Sequence, residues 1–152
     1  MNYIIDSHSG AGMIQFGMNR AKARSAMKPA KATPRISFVF KVPIDNFLDL
    51  GVRIHYDSHE NCEAIEFSMP STVTLRDHSL LNLPFGEVAD RIRAIDPTAT
   101  IHKAGLTSFQ LGVGLYIPDA IHKPNDLVQG VIAFSKGYYE RYGVTFEPIS
   151  LR

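Results

Sequence analysis

From Val52 to Ser68 the side chains alternate with a period of two on both sides of a short turn. Val52, Ile54 and Tyr56 share one face and Arg53, His55 and Asp57 the other, because successive residues of a strand point to opposite sides. Ser58, His59, Glu60 and Asn61 supply the polar turn, residues 62–68 the return strand, and Pro70 its end. A hairpin with one apolar face is not stable alone, so a second layer must cover it. Purely helical folds are excluded by this segment.

Helical periodicity occurs at two other places. Asn19 is a good N-cap for a helix over 20–27 that stops before Pro29, and Val88, Ile92 and Ile95 recur at helical spacing over 85–95, closed by Pro97. Ile36, Phe38, Phe40 and Val42 alternate with Arg35, Ser37, Val39 and Lys41, which predicts a half-buried strand over 35–42. Further strands are expected at 1–5, 73–75, 108–110, 111–117 and 127–134, with loops at 6–12, 28–34 and 118–124. The tail over 136–152 carries Tyr138, Tyr139, Tyr142 and Phe146 and is expected to pack rather than hang free.

Composition sets the outer limits. The 152 residues, 45% of them hydrophobic, make a single domain over 1–152 that needs no disulfide or metal staple. The lone Cys62 has no internal partner, and no paired-cysteine zinc spacing occurs. Residues 1–20 lack a basic segment followed by a long apolar stretch, and no apolar run approaches the roughly 20 residues that span a bilayer. A cytoplasmic protein is expected. Sixteen Lys and Arg against 15 Asp and Glu leave a net charge of +1, too little for a dedicated nucleic-acid or membrane-surface binder as a whole. Local patches remain open. Residues 20–41 hold seven bases and no acid, whereas residues 42–66 hold six acids and the single base Arg53.

An ordered echo runs through the chain. Phe16-Gly17 and Phe85-Gly86 open the helices, Leu50-Gly51-Val52 and Leu111-Gly112-Val113 open strands that lead to Tyr56 and Tyr116, and residues 65–68 find a counterpart in 132–135. The expected fold is therefore α+β: two helix-plus-antiparallel-hairpin units, roughly 14–68 and 83–135, forming a sheet packed by helices.

The stretch from Ile14 to Arg24 resembles the I-x-F-G-M-[ST]-x-x-x-[AV]-R opening of small bacterial proteins encoded among polymorphic-toxin and contact-dependent growth inhibition loci, with Asn19 in place of the usual Ser or Thr. Residues 50–57, 62–71, 106–120 and 131–140 resemble the remaining blocks of that set, so the likeness covers most of the chain. The helix opening is also similar to that of the beta-lactamase inhibitor protein and of outer-membrane assembly lipoproteins. The resemblance implies an immunity protein, not an enzyme, that binds and neutralises a cognate toxin domain by occlusion.

Residue chemistry offers little against this reading. Residues 6–12 lack the Gly-x-Ser-x-Gly of a nucleophile elbow and the Gly-Lys-Ser/Thr of a phosphate-binding loop. Glu63 and Glu66, three apart on a strand, are expected on opposite faces, which removes a glycosidase pair. Glu63 shares the parity of Ile65 and Phe67 and so lies at a frayed end or faces a partner. Cys62 beside Glu63 reads as a structural thiol. The alternative is a small metal-dependent or hydrolytic enzyme using His8, His55 or His59. No catalytic residue, cofactor or metal site is assigned. The acids around the 52–68 hairpin would make a negative patch for a basic, nuclease-like toxin, with no direct contact to nucleic acid or membrane. The candidate toxin-binding residues are His55, Asp57, Glu60, Glu63, Glu66 and the aromatic Tyr116.

Overall fold

The computed structural model describes residues 2–118 and 124–149. The first elements are β1 (Asn2–Asp6), β2 (Gly10–Ala11), β3 (Ile14–Gln15) and helix α1 (Arg20–Ala26). Strands β4 (Thr33–Ile36), β5 (Pro43–Phe47), β6 (Val52–Tyr56), β7 (Cys62–Phe67), β8 (Thr72–Leu75) and β9 (His78–Ser79) follow. Helix α2 (Phe85–Ile95) leads to β10 (Thr100–His102), β11 (Gly105–Ser108), β12 (Val113–Tyr116), β13 (Gly130–Phe134) and the short helix α3 (Tyr138–Arg141). The protein is mixed α+β and mostly sheet.

Eight strands form one sheet in the order β10-β11-β12-β13-β7-β6-β5-β4. It consists of two antiparallel meanders, β4 to β7 and β10 to β13, each preceded by a helix, and they meet where β7 pairs antiparallel with β13. A second sheet, β3-β2-β1-β8-β9, contains the parallel pair β1 and β8. One face of the large sheet is covered by α1, the small sheet and α2. Ala23 and Met27, then Tyr3, Ile5, Val73 and Leu75, then Phe85, Val88, Ala89 and Ile92 share one buried cluster with Val52, Ile54, Ile65, Phe67, Val113 and Leu115. Each buried Val, Leu, Ile or Phe among them contributes about 1.5–3 kcal/mol, so this layer outweighs any single polar contact.

Both helices are tied to the sheet at their entrances. The Asn19 side chain accepts from the Lys22 N–H at 2.8 Å, and the chain before α1 is stitched to the β6–β7 turn by Cys62 N–H to Met18 O and Arg20 N–H to Glu60 O. Before α2, Val128 N–H donates to Leu83 O and Phe85 N–H to Asp126 O. Beyond α2, the fully buried Asp96 accepts from Thr98 N–H and from Ser108 Oγ at 2.6 Å. Burial works to raise its carboxyl, but those donors hold it below the usual range.

The structure departs from the sequence expectations at identifiable points. Residues 35–42 are the end of β4 followed by a turn, with Phe38 95% exposed; the alternation is real but Ser37 closes the turn by accepting the Phe40 N–H on its Oγ. Loop 6–12 contains β2, and β5 and β10 appear where none was expected. Strand β11 lies at Gly105–Ser108 rather than at 108–110. The third echo is out of step by one residue: Phe67 pairs with Val131 and faces the helices, while Phe134 pairs with Ala64 and faces away. In the predicted loop 118–124, residues 119–123 lie outside the described residues, as do 150–152 of the tail.

Candidate binding face

Part of the charge segregation resolves internally. Asp45, fully buried on the helix-facing side of β5, accepts from Arg24 Nε and Nη2, both at 2.7 Å, from Arg20 Nη2 at 2.8 Å and from Tyr56 Oη at 2.9 Å. Arg20 also lies over the Tyr56 ring, 5.2 Å from its centre, and donates to Glu60 at 2.7 Å. Burial opposes ionisation of Asp45, yet the two guanidinium groups and the phenol outweigh it and hold the carboxyl at about 2. Glu60 is exposed but paired, and Asp57 Oδ1 accepts the His59 and Asn61 N–H groups, so both organise the hairpin turn.

The remaining expected site residues lie on the face of the large sheet away from the helices. His55 and Glu66 stand on neighbouring strands with Nε2 2.9 Å from Oε1. This is a close approach rather than an aligned hydrogen bond, since among the described residues neither ring nitrogen of His55 has a hydrogen-bond partner. Arg53 Nη1 reaches the other Glu66 oxygen at 3.6 Å. Burial pushes the Glu66 carboxyl up, and His55 and Arg53 bring it below its ordinary value. Glu63 sits where Cys62, Glu63 and Ala64 oppose only His55 and Tyr56, a β-bulge. The extra residue re-aims Glu63 out of the apolar layer and onto the same side as Glu66, contrary to the parity expectation. There it is buried against Arg141 Nη2 at 3.3 Å and the Tyr142 hydroxyl, so it latches α3 onto β7. Asp45, Glu60, Glu63 and Glu66 are thus each paired with an arginine, through Arg20, Arg24, Arg141 and Arg53, while Asp57 is spent on backbone N–H groups of the turn.

The tail closes one half of this face and leaves the other open. Phe40, Phe134, Tyr138, Tyr139 and Tyr142 form an aromatic cluster, with Phe40 stacked on Tyr142 at 4.2 Å. Phe146 stacks on His102 at 4.4 Å and meets Tyr139 edge-on at 5.0 Å. Beside that wall runs a groove of about 480 Å³. Its floor is low because neighbouring strands place glycines there: Gly130 opposes Tyr116, and Gly114 opposes both Thr107 and Ile132. Tyr116, 49% exposed, rises from this floor, with Arg53 and Glu66 at the far bank. His102 accepts the Ala104 N–H at Nδ1 and therefore carries its proton on Nε2, directed at Thr107 Oγ1 at 3.0 Å; burial lowers its pKa. Sequence reasoning missed the groove, and its signal was glycine inside strand patterns.

The three histidines of the enzymatic alternative occupy separate places. His8 Nε2 contacts Phe109 O at 2.9 Å beside Gly112, His55 faces Glu66, and His59 is exposed on the hairpin turn. Among the described residues no group of three or more His, Cys, Asp or Glu side chains is placed to hold a metal ion. Cys62 is buried, and burial pushes its thiol up to about 12. Among the described residues no helix is long and apolar enough to cross a membrane. Comparison with family models, with curated proteins and with solved structures finds no match.

Proposed function

We propose that this chain is an immunity-type binding protein that neutralises a toxin domain by occlusion, using the open face of its large sheet. The observation that carries the reading is the glycine-floored groove, where a half-exposed Tyr116 stands between the aromatic wall and the Arg53–Glu66 bank. Preformed concave surfaces with a few convergent polar groups are where binding sites concentrate, and a tyrosine held at the centre is a typical energetic anchor. The two helix-plus-meander halves joined at β7 and β13 support the further reading of two related units that together make one wide platform.

His55 and Glu63 set the shape of this face from below, and Glu66 and Tyr116 meet the partner. Asp57 and Glu60 hold the neighbouring turn. The test is co-expression with the polypeptide encoded immediately upstream of this chain. The expected result is a stoichiometric complex and protection of growth, with Tyr116→Ala weakening affinity at least tenfold at unchanged stability. No complex, together with no protection, sinks the reading.

A further inference from the structure

The two meanders correspond in pairing register about one cross-strand pair, Glu66 opposite Ile132. Outward from Glu66 the row runs through Arg53 and Asn46 to Thr33, and outward from Ile132 through Gly114 and Thr107 to Thr100. Two residues back along each central strand, Ala64 and its neighbour His55 stand in the first meander where Gly130 and Tyr116 stand in the second. A two-residue step preserves the face of a strand, so both places lie on the side away from the helices.

The first of these corresponding places is filled by the chain itself. Ala64 and His55 are buried, and Ala64 packs with Tyr138 of α3, backed by Phe40 and Tyr142. Glu63, which precedes Ala64, accepts the Tyr142 hydroxyl. The second place is open. Tyr116 is half-exposed at the groove, and Gln129, which precedes Gly130 as Glu63 precedes Ala64, lines the same groove and is exposed. Its amide oxygen is able to accept from a phenol, as the Glu63 carboxylate does. One aromatic ring of the tail already enters this half, since Phe146 stacks on His102. The bank adds no net charge, because Arg53 faces Glu66 there.

We propose that the groove receives a tyrosine side chain of the protein partner, its ring on the Gly114–Gly130 floor between Tyr116 and the Tyr139–Phe146 wall and its hydroxyl donating to Gln129 Oε1. The packing of α3 on the first meander is the internal pattern for this contact. The proposal rests on the occlusion reading and on the two-unit reading above, and it deepens them by naming the side chain that the partner supplies. Aromatic rings gain from meeting edge to face or offset, and a site built around a hydroxyl discriminates against the ring that lacks it.

The test is amide shift titration of the full chain with p-cresol, the tyrosine side chain alone, and with toluene, which has no hydroxyl. Saturable p-cresol shifts at Gly114, Gln129 and Gly130 are expected, with a dissociation constant of about 1 mM for a ligand of this size. Toluene should bind at least threefold more weakly, and Gln129→Leu should erase that difference. Gly130→Val should abolish the p-cresol shifts and Tyr116→Ala should weaken binding at least fivefold, both with urea midpoints at the wild-type value. In titrations of the upstream-encoded polypeptide, p-cresol at ten times its own dissociation constant should weaken the complex about tenfold by competition. Absence of a saturable shift, shifts that survive Gly130→Val, or toluene bound as tightly as p-cresol overturns the tyrosine site and leaves the occlusion reading standing. Binding of p-cresol without competition overturns it too, since the partner then sits elsewhere. No complex with the polypeptide overturns both readings. Self-association of the wild type that p-cresol reverses would assign the groove to a second copy and likewise overturn the proposal.

Discussion

Replacing Asp45 by Asn removes one charge while keeping the shape of the side chain, and it tests what the buried cluster contributes. Asp45 has no exposed surface and receives two bonds of 2.7 Å from Arg24, one of 2.8 Å from Arg20 and one of 2.9 Å from Tyr56. Removing one partner of a buried pair costs about 3–5 kcal/mol when the orphaned charges stay dry. Here Arg24 is 43% exposed and Arg20 keeps Glu60, so part of that cost is recovered from water. A second route gives the same scale. The carboxyl lies at about 2 against an ordinary 3.8, a difference worth about 2 kcal/mol at neutral pH. Because the folded-state value is depressed, that stability is present above pH 3.8 and is lost as pH falls toward 2. Urea unfolding of both forms across pH 2.5–7 is the assay. The variant should be about 2–3 kcal/mol less stable at pH 7, and the gap should shrink to about a third by pH 2.5. A gap under about 0.5 kcal/mol at pH 7, or one unchanged at low pH, refutes the argument that Asp45 acts as a paired anion.

Other expectations concern the groove, the latch and the thiol. A Cβ on Gly130 would lie 3.5 Å from Tyr116 Cβ, an ordinary contact, whereas one on Gly105 would lie 1.9 Å from Leu115 O at a φ of +144°. Gly130→Val should therefore fill the groove and abolish partner binding with stability within about 0.5 kcal/mol, while Gly105→Ala should cost at least about 2 kcal/mol by thermal or urea unfolding; the opposite ranking would refute the glycine-floor account. Glu63→Ala should release α3 from β7, seen as faster proteolytic cleavage after residue 136 and a loss of about 1–3 kcal/mol; an intact tail under protease counts against the latch. Cys62 should not react with a thiol reagent at pH 8 until denaturant is added, and rapid native-state labelling would contradict its burial.

The elements legible in the sequence are those whose pattern reports burial directly. Val52–Tyr56, the 85–95 helix and the Asn19 cap follow from periodicity and capping chemistry, and the structure places them at those residues. Strand β5 escaped because Pro43 and Asp45 are residue types that strands disfavour; Asp45 is tolerated there because Arg20 and Arg24 reach it from another element, a contact that no local pattern records. The alternation over 35–42 misled because exposure at the tip is set by where the sheet ends, not by side-chain type. At the candidate site, Tyr116 was accessible to sequence reasoning as an aromatic ending a strand, but Glu63 was misplaced because a bulge changes parity without leaving a compositional trace. The groove was overlooked because missing side chains make it, and its one trace is Gly114 and Gly130 inside strand patterns.

The pairing of β7 with β13 has a consequence for how the molecule is made. Strand β7 is complete once Phe67 has been synthesised, yet its partner begins at Gly130. While the intervening chain is still emerging from the ribosome, the first meander ends in an open edge that carries the apolar Ala64, Ile65 and Phe67. Such an edge is a template for wrong pairing. Glu66 and the bulged Glu63 place acidic side chains along it, the residue type that disfavours aggregation at an uncovered edge. The bulge that latches α3 in the native protein thus also sets which charge the nascent edge carries.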